Sequence, residues 1–169
     1  MEYFKPKPLT VKMVKPLFTK VISIYYDSYH IDLSYMKIAI SEVPLSTNGK
    51  PSTYVTPEQF GGCHLHNKTI VYNKYFEKSV MYYCHKCDKD TYITALKQVT
   101  AHELAHEIWF RHADDHFKNK IIDEAISNDF QTVYTKSLNQ NSSKYKEELF
   151  CEYLVNTIDK DLQFIIVDL

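Results

Sequence analysis

The chain has 169 residues, 44% of them hydrophobic and 14% aromatic, with a formal net charge of −1. That length can bury a sizeable core in one domain, and that composition excludes a disordered chain. The near-neutral charge removes any global field toward nucleic acid, although Lys5, Lys7, Lys12, Lys15 and Lys20 form a local basic stretch opposed only by Glu2.

Residues 1–9, with Pro6 and Pro8, read as an extended arm. From Thr10 to Tyr29, Leu17, Phe18, Val21, Ile22, Tyr25 and Tyr29 recur at helical spacing, and Pro16 marks a start or a kink. Residues 35–43 alternate, with Met36, Ile38 and Ile40 on one face, as a half-buried strand does. Residues 44–60 carry Pro44, Asn48-Gly49, Pro51 and Pro57 and read as a long turn-rich connection. Gly61–His66, then Asn67-Lys68, then Thr69–Asn73 predict a β-hairpin. Residues 74–90 are expected to be irregular.

With Asp90 as N-cap, a helix is expected from about Thr91 to Phe110, turning Ile93, Leu96, Val99, Leu104 and Ile108 inward. A second, capped by Asp114 or Asp115, is expected over roughly 116–136, with Phe117, Ile121, Ile122, Ala125 and Val133 inward. Asn139–Ser143 is a polar turn, and a last helix covers roughly 143–159. Phe164–Val167 is either a short strand or a packed tail. This order predicts a single α+β domain over 1–169: an N-terminal helix, a short twisted sheet with a hairpin, and further helices.

No apolar run approaches 18 residues, and no apolar segment follows the N-terminal lysines. A soluble, cytoplasmic chain without a membrane span or signal peptide is therefore expected. Four cysteines at this length do not make a disulfide framework. Among 20 lysines and arginines only Arg111 is an arginine, which reads as the codon bias of an AT-rich genome, such as that of a phage or its host.

The chemistry concentrates at His102-Glu103-Leu104-Ala105-His106. Spacing i, i+4 turns a helix by about 400°, so the two histidines stand about 40° apart on one face. Two imidazoles so placed can bind one Zn²⁺, and Glu103 beside them can act as general base on a water at the metal. Composition alone would produce an H-E-x-x-H somewhere in this chain with a frequency of roughly 2%.

A catalytic zinc commonly takes three protein ligands. Four candidates compete for the third place: His112, which completes His-x3-His-x5-His; His116, at the start of the following helix; Glu124, in Asp123-Glu124-Ala125-Ile126-Ser127; and Glu148, with Glu147 and Glu152 nearby. For His112 the chain must leave the helix near Trp109–Arg111, because a +10 residue on an unbroken helix points about 80° away from His102.

The run from His102 to Phe117, preceded by Gly61-Gly62-Cys63 and Ile70-Val71-Tyr72-Asn73, resembles the SprT-like and WLM-type zinc metalloproteases over roughly residues 35–130. In that pattern H-E-L-x-H is followed by a histidine and an aromatic that opens the next helix. The resemblance implies a small zincin-like fold, with His102, His106 and His112 holding Zn²⁺ and Glu103 as base. Two weaker likenesses keep alternatives open. Residues 123–127 resemble the glutamate-bearing segment of thermolysin-like gluzincins, and residues 145–158 resemble the glutamate-bearing helix of ImmA/IrrE-type peptidases.

Cys84-His85-Lys86-Cys87 is half of a tetrahedral zinc site, and Cys63, His64 or His66 could supply the other half. The expectation is thus a zinc endopeptidase acting on an extended polypeptide, which would pair with strand 69–73 if that strand edges the sheet. Nucleic acid enters as a partner only by analogy with SprT-like crosslink proteases. A regulatory module without turnover and a non-peptidase zinc hydrolase are the competing classes. No oxyanion-stabilising residue is legible.

Overall fold

The computed structural model describes residues 4–42 and 61–168. The turn-rich connection expected at 44–60 lies outside the described residues. Thr10 caps α1 (Val11–Tyr29), its hydroxyl accepting from the Met13 amide at 3.3 Å. The helix runs through Pro16. Proline in a helix costs about 3 kcal/mol, and each fully buried apolar side chain returns about 1.5–3 kcal/mol. The buried stripe Val14, Leu17, Phe18, Val21 and Tyr25 is ample to offset it.

β1 (Lys37–Ser41), β2 (Gly62–Leu65) and β3 (Thr69–Asn73) form one sheet in the order β1-β3-β2. β1 runs parallel to β3, with Ile38 opposite Ile70, and β2 runs antiparallel, with Cys63 opposite Val71. The hairpin is therefore present, but among the described residues β3 is the central strand and β1 and β2 are the edges. Ile70, Val71, Tyr72 and Asn73 are all buried, the continuous pattern of a strand covered on both faces.

Residues 74–90 are not irregular: α2 (Phe76–Cys84) occupies most of them. Its buried residues Phe76, Ser79 and Val80 fall at i, i+3 and i+4, a stripe of a single turn. α3 (Lys89–Glu107) is capped by Asp88 rather than Asp90, with the carboxylate accepting from the Thr91 amide at 2.8 Å. This helix is the centre of the molecule and packs on α1, α2, β2 and the last helix. Leu96, Ala101, Leu104 and Ala105 are fully buried, and the Tyr25 hydroxyl donates to the Ala101 carbonyl at 2.8 Å.

After Glu107 the backbone widens into a π-helical turn, Ile108–His112, closed by the Ala113 amide donating to the Ile108 carbonyl at 2.8 Å. Asp114 then caps α4 (Asp115–Ser127). The helix expected to reach 136 stops here. The Asn128 side-chain amide donates to the Glu124 carbonyl at 2.7 Å, and Asp129 takes a left-handed φ of 52°. α5 (Val133–Lys136) is separate, and Val133 is 90% exposed rather than inward. Ser142 caps α6 (Ser143–Gln163), which extends beyond the expected end at 159 and buries Leu149, Phe150, Leu154, Ile158 and Leu162. Residues 164–168 are a tail packed through Ile165 and not a strand. Among the described residues, no helix is long and apolar enough to cross a membrane.

Candidate metal centre

α6 packs on α3 and brings Glu148 to the histidine pair. Candidate ligand atoms of His102, His106 and Glu148 all lie within 4.8 Å of one another, so these three side chains could hold a metal ion. The two Nε2 atoms are 3.1 Å apart. Glu148 Oε2 is 3.2 Å from His102 Nε2, and its Oε1 is 3.7 Å from His106 Nε2. Ligands at 2.0–2.1 Å around a tetrahedral ion stand roughly 3.3–3.4 Å apart, so the triangle has the size zinc requires.

The surroundings fit a metal as well. His106 Nδ1 lies 2.7 Å from Glu147 Oε1 and 3.5 Å from the Cys151 thiol, and His102 Nδ1 lies 3.5 Å from Glu152 Oε1. Carboxylates behind both rings fix the tautomer that presents Nε2 inward, the usual support of a metal-binding histidine. Glu148 is buried; its Oε1 pairs with Lys144 Nζ at 2.5 Å, while its Oε2 makes no hydrogen bond among the described residues. The nearest partner of Oε2 is His102 Nε2 at 3.2 Å, so this buried oxygen is satisfied either by a protonated His102 or, once that proton is lost, by a bound cation.

Glu103 stands on the neighbouring face of α3, and its Oε2 accepts a hydrogen bond from the His64 backbone amide on β2 at 2.7 Å. Gly62 permits this approach, because a Cβ there would stand 2.7 Å from Val99 Cγ1 on α3. Next to His102 and Glu103 opens a cleft of about 710 Å³, walled by Phe76, Val80, Val99 and Val155 and rimmed by Tyr83 and Tyr134.

His112 is not in the metal group. The π-turn carries it to β1's side of the molecule, where its Nε2 is 2.6 Å from the Tyr35 hydroxyl. That hydroxyl donates its proton to Glu107 Oε1 at 2.8 Å, so His112 Nε2 must itself be the donor to Tyr35 and has no lone pair left there for a metal. His116 is exposed in the first turn of α4, and Glu124 lies on the same helix away from the group. The third position expected of His112 therefore falls to Glu148.

Glu107, fully buried, anchors a second polar cluster that sequence reading missed. It meets His64 Nε2 at 2.5 Å and Arg111 Nε at 2.7 Å, besides Tyr35. Burial lowers the His64 imidazole below its ordinary pKa, against the pull of the Glu107 carboxylate. His64 is thus committed to Glu107 and not to the cysteines. Burial, and then the Glu103 carboxylate, push the Cys63 thiol up to about 12, far from the thiolate a zinc site uses. Among the described residues, no group of three ligands includes Cys84 or Cys87, so the possible second zinc site there is not assembled.

Burial opposes charge on His102, but the Glu148, Glu103 and Glu152 carboxylates outweigh it and hold the imidazole pKa up at about 9. Glu148, despite its burial, is drawn down to about 2 by His102, His106 and Lys144. A raised histidine stabilises the metal-free fold fully below its unfolded value near 6.5 and loses that contribution as pH rises through about 9. A metal ligand must be neutral imidazole, so zinc has to displace this proton. Apparent zinc affinity should therefore rise with pH between 7 and 9, with about one proton released per ion. Calorimetry in two buffers of different ionisation enthalpy checks this, and pH-independent affinity would contradict it.

No protein-family model matches the chain, and no curated protein and no solved structure matches it significantly.

Proposed function

We propose that this chain is a zinc-dependent metallopeptidase of zincin-like fold that holds its ion with His102, His106 and Glu148 and uses Glu103 as general base. One observation carries the reading: an H-E-x-x-H helix whose Nε2 atoms converge with a buried glutamate carboxylate from a second helix. Two histidines and a helix-borne glutamate are the gluzincin type of ligand set, and Glu148 lies in the stretch likened to the ImmA/IrrE-type helix, so these alternatives are favoured over the SprT-like one.

A zinc ion in this place would supply Lewis acidity, polarising a carbonyl and making water a better nucleophile near neutral pH. The chain's own residues do the rest. The His64 amide holds the Glu103 carboxylate against the edge strand, next to the metal position. There Glu103 takes a proton from water as its oxygen adds to the scissile carbonyl carbon. It passes that proton to the amine nitrogen as the C–N bond breaks. β2, an edge strand among the described residues, offers an extended polypeptide a strand to lie beside, and the adjoining apolar cleft offers a place for a side chain.

The test is metal-dependent cleavage of an unstructured protein such as casein. Chelator treatment should abolish cleavage, and one equivalent of zinc per chain should restore it. Cleavage that survives complete metal removal, or no cleavage by a fully zinc-loaded chain, would overturn the reading. A loaded chain that hydrolyses only small amides would point to the non-peptidase zinc hydrolase instead.

A further inference from the structure

We propose that Lys144 is the electrophile of this site, the cation that stabilises negative charge as it develops on the scissile carbonyl oxygen. This rests on the peptidase reading above and assigns the group that sequence reading left open.

Lys144 sits in the first turn of α6, one turn ahead of Glu148. Its ammonium is 2.5 Å from Glu148 Oε1, the oxygen that lies 3.7 Å from His106 Nε2. It therefore stands one carboxylate away from the metal position. The two oxygens of Glu148 divide their tasks. Oε2, which faces only His102 Nε2 at 3.2 Å among the described residues, is the one left for an ion, and Oε1 keeps Lys144 in place. An ion taken up through Oε2 leaves the Lys144 pair intact. One of the three ammonium donors is used on Oε1, and two remain.

Helix stability does not account for a lysine here. The first turn of α6 is the positive end of the helix dipole, where a cation is unfavourable. Lysine preceding glutamate at i, i+4 is also the weaker orientation of such a pair. The side chain is 46% exposed, so the ammonium is at the open side of the site and not sealed in the core. Among the described residues, no other lysine or arginine pairs with Glu103, Glu147, Glu148 or Glu152; Arg111 is committed to Glu107 and the His66 carbonyl. A cation already held in position, at a site ringed by carboxylates, is what stabilisation of a developing oxyanion needs.

The experiment compares the zinc-loaded parent with Lys144→Met, Lys144→Arg and Tyr134→Phe. It reads three quantities: zinc affinity by chelator competition, kcat and KM on a C-terminally amidated peptide, and the affinity of a phosphonamidate analogue of that peptide. Lys144→Met should lower kcat by about 10²–10³-fold and weaken the phosphonamidate in parallel, the range for loss of one oxyanion donor. KM should stay within a fewfold and zinc affinity within about tenfold, and Lys144→Arg should recover part of the rate. An unchanged kcat at saturating zinc would overturn the proposal. So would a defect that excess zinc fully repairs, since Lys144 would then only position Glu148. A loss carried by Tyr134→Phe and not by Lys144→Met would move the role to the phenol. A parent chain that neither binds zinc nor cleaves peptide overturns this proposal and the peptidase reading together.

Discussion

Glu148→Ala should strip zinc from the protein, and His112→Ala should leave it bound. Loss of one of three ligands removes a charged donor and opens the ion to solvent, whereas an outer partner is worth only about ten- to a hundredfold in affinity. Titration against a competing chelator should show Glu148→Ala weakened by well over a hundredfold, with His112→Ala, His116→Ala and Glu124→Ala inside the range of outer partners. Glu148→Gln is the control for packing, since it keeps the shape beside Lys144 while removing the charge; it should also bind zinc poorly. His112→Ala has a different expected defect. It removes the partner of Tyr35 on the far side of Glu107 and should register in thermal stability, not in metal content. If His112→Ala loses the ion and Glu148→Ala keeps it, the ligand set drawn from the geometry is wrong and the SprT-like arrangement returns.

The parts of this site that are local in sequence were legible, and the parts that depend on how helices meet were not. His102, Glu103 and His106 share one face because of helical geometry alone, so their juxtaposition needs nothing from the rest of the fold. Glu148, the third member of the group that could hold an ion, lies on α6, separated from α3 by α4 and α5, and no periodicity in one helix reports the packing of another. His112 led because the run after the motif resembles the SprT-like pattern, on the condition that the chain leave the helix near Trp109–Arg111 and fold back. It leaves by a π-turn, which widens the backbone instead of folding it back over the metal position.

A signal for Glu148 was nevertheless present. It lies between Tyr145 and Leu149 on the buried side of α6, and a lone carboxylate in an apolar stripe must find a cation or a proton. Glu107, between Ala105 and Ile108, carries the same signal and proved to anchor the second polar cluster. α2 escaped because its apolar stripe is one turn long and the cysteine pair at its end suggested a loop. The helix read through to 136 ignored Asn128-Asp129, a stop that the left-handed φ of Asp129 makes explicit. Whether strand 69–73 edges the sheet was not legible, because hairpin spacing fixes the pairing of β2 with β3 but says nothing of β1 joining β3 in parallel.

Glu103→Gln should abolish peptide hydrolysis while leaving zinc content and fold intact. The substitution keeps the side-chain shape, and the glutamine carbonyl oxygen can still accept from the His64 amide, so the contact between α3 and β2 survives. Glu103 is not among the atoms that converge on the metal position, so zinc affinity should move by less than about tenfold. What disappears is the only property an amide cannot reproduce, the capacity to take a proton from water and return it to the leaving amine. A positioned general base contributes about 10²–10⁴-fold to rate, and kcat should fall by that amount with KM nearly unchanged. Metal analysis, thermal melting and single-turnover cleavage of a casein-type substrate by the same preparation make the comparison. A Glu103→Gln chain that cleaves as fast as the parent would remove Glu103 from the chemistry. The base would then have to be sought among the other carboxylates around the histidine pair, with Glu152, which lines the same cleft and touches His102, the first to exchange for glutamine.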